Sequence, residues 1–200
     1  MTISELIKCI DVLRVVGDTS KQVVDIHFDS RRVGDGCLFV AQVGTAVDGH
    51  AYISQCVQQG AVAVVLEKEE YIQAGDVCYI LVKDSNEALG KLAHYWYGEP
   101  SKKLKLVGVT GTNGKTTTAT LLYRLFKALG YKAGLLSTVV NYVDDDAVAS
   151  THTTPNALEL NSSLKWCLLD VHMLLWKSVA MLLLRSVLPD WNMLVRCLLI

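Results

Sequence analysis

The run Gly108-Val-Thr-Gly-Thr-Asn-Gly-Lys-Thr-Thr-Thr118 constrains this chain more than any other feature. An apolar segment, Lys103-Leu-Lys-Leu-Val-Gly-Val109, precedes it, and a helical pattern over residues 115–129 follows it and stops at Gly130. A second strand pattern lies within 131–140. That β-loop-α-β order belongs to a parallel sheet covered by helices. Glycines let a backbone turn around an anion with no side chain in the way. Successive N–H groups then point at the anion, and the new helix adds unmade N–H groups and the positive end of its dipole.

A nucleoside triphosphate is the anion this arrangement suits. Gly111, Thr112, Asn113, Gly114, Lys115, Thr116 and Thr117 are the candidate ATP-binding residues. Lys115 reaches the β and γ phosphates, which also makes it the candidate catalytic residue, and the Thr116 hydroxyl ligates Mg2+. The pattern GxxxxGK[ST] asks for a glycine at 109, where valine stands; the nearby glycines are Gly108 and Gly111. The strand before and the helix after favour nucleotide binding over a merely structural turn. The loop alone leaves ATPase, kinase, GTPase and ligase open.

The rest of the chain sets limits. Its 200 residues suit one large domain or two modest ones. A hydrophobic share of 51% permits a sizeable core, and a formal net charge of -1 supplies no basic field for a nucleic acid. Lys177, Arg185 and Asp190 interrupt every long apolar stretch, so no run of about 18 apolar residues forms and no membrane insertion is expected. The first residues mix charged and apolar side chains, unlike a signal peptide. Cysteines 9, 37, 56, 78, 167 and 197 lack metal-site or redox spacing and read as free thiols of a cytoplasmic protein.

Spacing predicts an amphipathic helix over 3–16, strands near 23–28, 37–41, 61–66 and 77–82, and helices over 50–59 and 86–97. Residues 43–50 read as a loop. The expected fold class is α/β: a small N-terminal α/β domain over 1–100, then the start of a P-loop parallel-sheet ATPase-like domain over 101–163. Gly98-Glu-Pro-Ser101 marks the boundary.

Three stretches carry a family resemblance. They are Asp29-Ser-Arg-Arg-Val33 with Gly36-Cys-Leu-Phe-Val-Ala41 and Gly44-Thr-Ala-Val-Asp-Gly-His50; the 108–118 run; and Thr153-Thr-Pro-Asn-Ala157. Residues 1–163 thereby resemble the Mur ligase family of bacterial cell-wall synthesis. The resemblance implies an ATP-dependent amide ligase of peptidoglycan precursor synthesis, adding a diamino acid to UDP-N-acetylmuramoyl-L-alanyl-D-glutamate through an acyl phosphate. It implies ATP and Mg2+ as cofactors, a UDP-muramoyl-peptide as substrate and a monomer. Ser30 would touch the UDP, with Gly44, Thr45 and Asp48 beside it, and Thr153 and Thr154 would contact the muramoyl-peptide. A MurF-like or other carboxylate ligase of the family, and a non-catalytic nucleotide-binding fragment, stay open as alternatives. Residue by residue, the plain readings are Ser30 as a turn cap, His50 as a solvated loop residue or helix-start contact, and Thr153-Thr154 as an extended approach to a helix at Asn156.

Composition changes near residue 164. All 14 glycines lie at or before 134, while three of the 4 tryptophans and three of the 4 methionines lie beyond it. No period or turn chemistry organises the leucines of 164–200, so this tail is expected to pack poorly. A shifted reading frame explains it. Joining each codon's last base to the next two bases, Trp176 before Lys177 and Trp191 before Asn192 each force a glutamate. Allowed codons then turn residues 172–181 into Tyr-Ala-Phe-Met-Glu-Val-Ser-Ser-His, and Met-Glu-Val-Ser-Ser-His resembles what the family carries here. The resemblance implies that the family's metal-binding glutamate, its modified lysine and its C-terminal amino-acid-binding domain are missing from the 200 residues as written, which are expected to lack ligase activity. The coding DNA is expected to show a slip near codons 163–166; an intact frame with this tail would sink the explanation.

Overall fold

The computed structural model describes residues 1–44, 47–110, 113–137, 140–144, 146–149, 156–167, 173–177 and 198–199. The chain divides into two compact units, Met1–Tyr95 and Trp96–Ile200, each with its own sheet. No helix among the described residues is long and apolar enough to cross a membrane.

In the first unit, strands β1 (Val12–Val16), β2 (Asp25–His27), β3 (Cys37–Val40), β4 (Ala63–Leu66) and β5 (Cys78–Val82) form one sheet in the order β1-β5-β4-β3-β2. β2 to β5 run parallel and β1 pairs antiparallel with β5. Every residue of β3 and β4 is buried. Their sequences, Cys-Leu-Phe-Val and Ala-Val-Val-Leu, are unbroken apolar runs, as strands covered on both faces require. Phe39, Val64, Leu66 and Tyr79 pack with Ile53 and Cys56 of helix α2 (Ile53–Gln58). Helix α3 (Ser85–Trp96) buries Ala88, Leu89, Leu92 and Ala93, one face of a 3.6-residue period. Asp84 starts it by accepting the N–H groups of Asn86 at 2.8 Å and Glu87 at 2.9 Å.

The N-terminus departs from the expected helix over 3–16. Helix α1 (Ile3–Leu6) lasts one turn and a 3-10 turn follows at Ile7–Cys9. Thr2 and Glu5 cap α1 reciprocally. Beyond it the chain is strand, because the β-branched Val12, Val15 and Val16 find partners in Val82, Ile80 and Tyr79 and sheet pairing outweighs helical spacing. The helix expected over 50–59 is also divided, into a 3-10 turn Gly49–Tyr52 and α2.

In the second unit, helix α4 (Pro100–Lys103) leads into β6 (Lys105–Thr110), helix α5 (Lys115–Ala128) and β7 (Ala133–Leu136). Strands β8 (Val140–Val143) and β9 (Asp146–Ala149), helix α6 (Ala157–Cys167), β10 (Met173–Lys177) and β11 (Leu198–Leu199) complete the described elements. The sheet order is β11-β6-β10-β7-β8-β9. β11, β6, β10 and β7 are parallel, and β8 and β9 extend the sheet antiparallel from β7. Val109, Ala119, Leu135 and Leu175 form the core under α5. Asn156 and Glu159 start α6 reciprocally: the Asn156 side chain accepts the Glu159 N–H at 2.9 Å, and the Glu159 carboxylate accepts the Asn156 N–H at 3.3 Å.

The expectation that residues 164–200 pack poorly is corrected for its described part. Leu164 is buried in α6, and β10 lies between β6 and β7 with Leu174 and Leu175 fully buried and Trp176 8% exposed. An inner parallel strand needs a short continuous apolar run and no alternation. Met-Leu-Leu-Trp supplies one. Residues 178–197, with most of the remaining leucines, lie outside the described residues.

Leu38, fully buried in β3, tests the core of the first unit. Leu38→Ala is expected to lower the unfolding free energy by about 3 kcal/mol, measured as a drop in the urea midpoint.

Candidate functional site

Parallel strands end on the same side of their sheet, and ligands of α/β sheets bind in the crevice beyond those carboxyl ends. In the first unit such a cleft, of about 510 Å³, opens where β2 and β3 end. Phe28, Asp29, Ser30 and Arg31, which follow β2, line one wall. Gln42, Gly44, Val47 and Gly49, which follow β3, line the other, with Tyr52 and Gln55 beyond them.

The first wall is built by Asp29. Its carboxylate caps the 3-10 turn Ser30–Arg32 by accepting the Arg31 N–H at 3.1 Å. The same carboxylate takes the Arg31 guanidinium in a two-point grip, Nε at 2.9 Å and Nη2 at 2.7 Å. That side-chain bond first, and the backbone N–H second, lower the Asp29 pKa from an ordinary 3.8 to about 2. The cap is therefore Asp29 and not Ser30. Among the described residues the Ser30 hydroxyl has no hydrogen-bond partner, and it stands on the cleft wall.

The second wall is a turn closed on itself. Gly44 N–H bonds to the Val47 carbonyl at 3.0 Å, and Gly49 N–H to the Gln42 carbonyl at 2.8 Å. A Cβ on Gly49 would stand 2.8 Å from the Gln42 carbonyl oxygen and 2.9 Å from its nitrogen, so only glycine lets the two sides of the turn meet. Asp48 sits behind this turn with both carboxylate oxygens engaged. Oδ1 accepts the His50 N–H at 3.0 Å and lies 2.6 Å from His50 Nδ1, while Oδ2 accepts from Lys68 Nζ at 2.5 Å. The Lys68 bond, then the His50 backbone N–H, hold the Asp48 carboxyl well below the usual carboxylate range. His50 is buried, not solvated. Thr45 lies outside the described residues.

In the second unit, β6 ends at Thr110 and α5 begins at Lys115. Gly111 and Thr112 lie outside the described residues, as do Thr153 and Thr154. Asn113 is exposed, and Gly114 takes the left-handed conformation at φ 73, which turns the chain into the helix. Lys115 and Thr116 are half-buried and Thr117 is exposed. The bond from Thr118 N–H to the Gly114 carbonyl at 2.9 Å opens the helical ladder, so the N–H groups of the first turn gather at the positive end of a 14-residue helix. No group of three or more His, Cys, Asp or Glu among the described residues is placed to hold a metal. Among the described residues Cys37, Cys56 and Cys78 are free thiols, Cys9 donates its thiol to the Leu6 carbonyl at 3.0 Å, and burial pushes the Cys56 thiol up to about 11.

The structure thus brings Ser30 and Gly44 to one cleft, puts Asp48 behind its wall, and sets Asn113 to Thr117 at one helix start. Sequence reasoning missed Phe28, Gln42, Tyr52 and Gln55 as lining residues. Tyr52 and Gln55, three apart and so on one helical face, carried a faint signal; Phe28 and Gln42 carried none.

Residues 22–97 match the Mur ligase family catalytic domain and residues 109–172 match the Mur ligase middle domain. The chain belongs to the Mur ligase family. It is 53% identical over 162 residues to a UDP-N-acetylmuramoyl-L-alanyl-D-glutamate--2,6-diaminopimelate ligase of Parabacteroides distasonis, covering 81% of this chain and 33% of that one. The corresponding ligase of Cytophaga hutchinsonii is 54% identical over 165 residues, 82% of this chain and 34% of that one. The chain therefore spans about a third of the length of these relatives. A solved structure of a 2,6-diaminopimelate ligase superposes with a TM-score of 0.68 at 20% identity, over 89% of this chain and 36% of that one. MurF of Acinetobacter baumannii superposes with a TM-score of 0.60 at 23% identity, over 90% and 36%. At these identities the structural likenesses speak for the fold alone.

Arg31→Ala is expected to return the Asp29 pKa from about 2 toward 3.8, read by NMR titration of the carboxyl carbon. A depressed carboxylate contributes stability that is present above its unfolded pKa and is lost as pH falls toward 2. The variant is expected to lose that acid sensitivity; an unmoved Asp29 titration would show that Arg31 is not its cause.

Proposed function

We propose that this chain carries the uridine-nucleotide cleft and the ATP loop of a ligase acting on UDP-N-acetylmuramoyl-L-alanyl-D-glutamate. The single observation that carries the reading is the cleft beyond β2 and β3. There the Ser30 hydroxyl, without a partner among the described residues, stands opposite a glycine-lined turn, in a chain 53% identical over 162 residues to a 2,6-diaminopimelate ligase. Ser30 donates to the UDP moiety, Gly44 and Thr45 offer their backbone to it, and Asp48 holds that backbone in place. Residues 1–100 form the UDP-substrate domain, 101–163 belong to the ATP-binding domain, and Thr153 and Thr154 meet the muramoyl-peptide.

Gly111 to Thr117 are the ATP-binding residues of this reading. The left-handed Gly114, the helix start at Lys115 and the half-buried Thr116 hydroxyl fit a triphosphate with Mg2+. Mg2+ there would offset charge on the phosphoryl group being transferred. Lys115 places its ammonium beside the same oxygens. In the reaction the family catalyses, the substrate's terminal carboxylate takes the γ-phosphoryl group from ATP and leaves ADP. The incoming amine then attacks the acyl phosphate, the amide bond forms, and phosphate departs with its bonding electrons.

The described part of the tail bears on turnover. β10 is the parallel neighbour of β6, and its last residues, Trp176 and Lys177, pair with Gly108 and Val109 just before the nucleotide loop. The shifted frame sets its glutamate across these same two codons, so it would place a carboxylate at the strand end beside the ATP phosphates. As written, a buried Trp176 occupies that place. We read residues 164–200 as the product of that slip, and the chain as a binder of both nucleotides without turnover.

Calorimetry on the 200-residue chain tests this. UDP and Mg-ATP are each expected to bind. Lys115→Ala is expected to weaken ATP at least about tenfold, and Ser30→Ala to weaken UDP about fivefold, each without affecting the other nucleotide. Amide formation from the UDP-muramoyl-dipeptide, ATP and 2,6-diaminopimelate is expected to be undetectable. Absence of UDP binding at millimolar concentration would defeat the cleft assignment, and measurable amide formation would defeat the loss of turnover.

A further inference from the structure

We propose that His50 is a positioning residue for the cleft, a tautomer-locked strut that sets the height of the glycine-lined wall from beneath. The proposal deepens the uridine-nucleotide reading above and rests on it for its functional consequence. The His50 side chain is fully excluded from solvent. Its Nε2 accepts the backbone N–H of Glu67 at 2.9 Å. A backbone amide cannot turn its hydrogen away, so Nε2 carries no proton. The hydrogen of the neutral ring therefore sits on Nδ1 and is donated to Asp48 Oδ1, 2.6 Å away. Neither ring nitrogen has another choice.

The strut is braced at both ends. Asp48 Oδ1 also accepts the His50 N–H, and Oδ2 accepts from Lys68. Glu67, directly after β4, accepts the Ser85 N–H at 2.7 Å and the Ser85 hydroxyl at 2.6 Å, which ties it to the first turn of α3. His50 thus connects the turn that lines the cleft to the frame of the sheet. Gly44 and Gly49 present backbone to the cleft and have no side chain with which to adapt to a ligand. Such a wall grips a nucleotide only if its peptide groups are placed beforehand, and the polar contacts behind it do that placing.

Nitrogen-15 NMR of histidine in the full 200-residue chain is expected to show His50 neutral with the proton on Nδ1. His50→Phe is expected to speed amide exchange of Gly44 and Gly49 about tenfold, to weaken UDP about tenfold, and to leave ATP affinity and the protection of β3, β4 and β5 unchanged. Asp48→Ala removes the acceptor at the other end of the strut and is expected to loosen the same two glycines, which keeps the test open if His50→Phe fails to fold. An Nε2-protonated ring, or native exchange at Gly44 and Gly49 in either folded variant, overturns the proposal. If the unsubstituted chain binds no UDP, the cleft assignment fails, while tautomer and exchange still decide whether His50 holds the wall.

Discussion

Parallel pairing is the constraint on which everything else in this molecule depends. Parallel strands end on a common side, so the segments that follow them collect there. In the first unit this brings the segment after β2 to the segment after β3, although Asp29 and Gln42 stand 13 positions apart in the sequence. In the second unit it sets Gly108 and Val109, at the end of β6, beside Trp176 and Lys177 at the end of β10. The fully buried apolar strands enforce the arrangement. A one-residue slip in register would turn every buried side chain of β3 or β4 to the opposite face.

Around that frame, polar groups are committed pairwise, and what they leave over is where chemistry is possible. Asp29 is used up on Arg31, and Asp48 on His50 and Lys68. Glu67 is spent on Ser85. These groups pre-shape the cleft without facing a ligand freely. The Ser30 hydroxyl differs in kind, since among the described residues the local turn chemistry leaves it without a partner. Buried polar networks hold their geometry only when every member is satisfied, and both ring nitrogens of the buried His50 have partners.

The elements nearest to these sites were legible because their signals are local. Glycine followed by Lys-Thr-Thr after an apolar strand announces a strand-to-helix turn, and α5 begins at Lys115 and stops before Gly130. The unbroken run from Cys37 announced β3. The N-terminal helix was misread because Ile and Leu at helical spacing also fit the short turn and edge strand that occur there, and the partner strand β5 lies more than sixty residues away, at 78–82. β10 was misread for the opposite reason. Its leucines follow no period, and an inner strand needs none.

What the sequence determined by itself was local pattern and kinship: the glycine-rich strand-to-helix turn, the acid-serine-base turn, the α/β alternation and the membership of a ligase family. These depend on residue types at short spacing, which the chain states directly. Only the tertiary structure decided which of those residues are free to act. It made Asp29 the cap and released Ser30. It turned Asp48 inward onto a buried histidine and brought Phe28, Gln42 and Tyr52 to one crevice. The reason is physical: availability is what remains after hydrogen bonds have been made, and although Asp29 finds Arg31 two residues on, no local pattern records Glu67 and Lys68, which folding alone brings to His50 and Asp48.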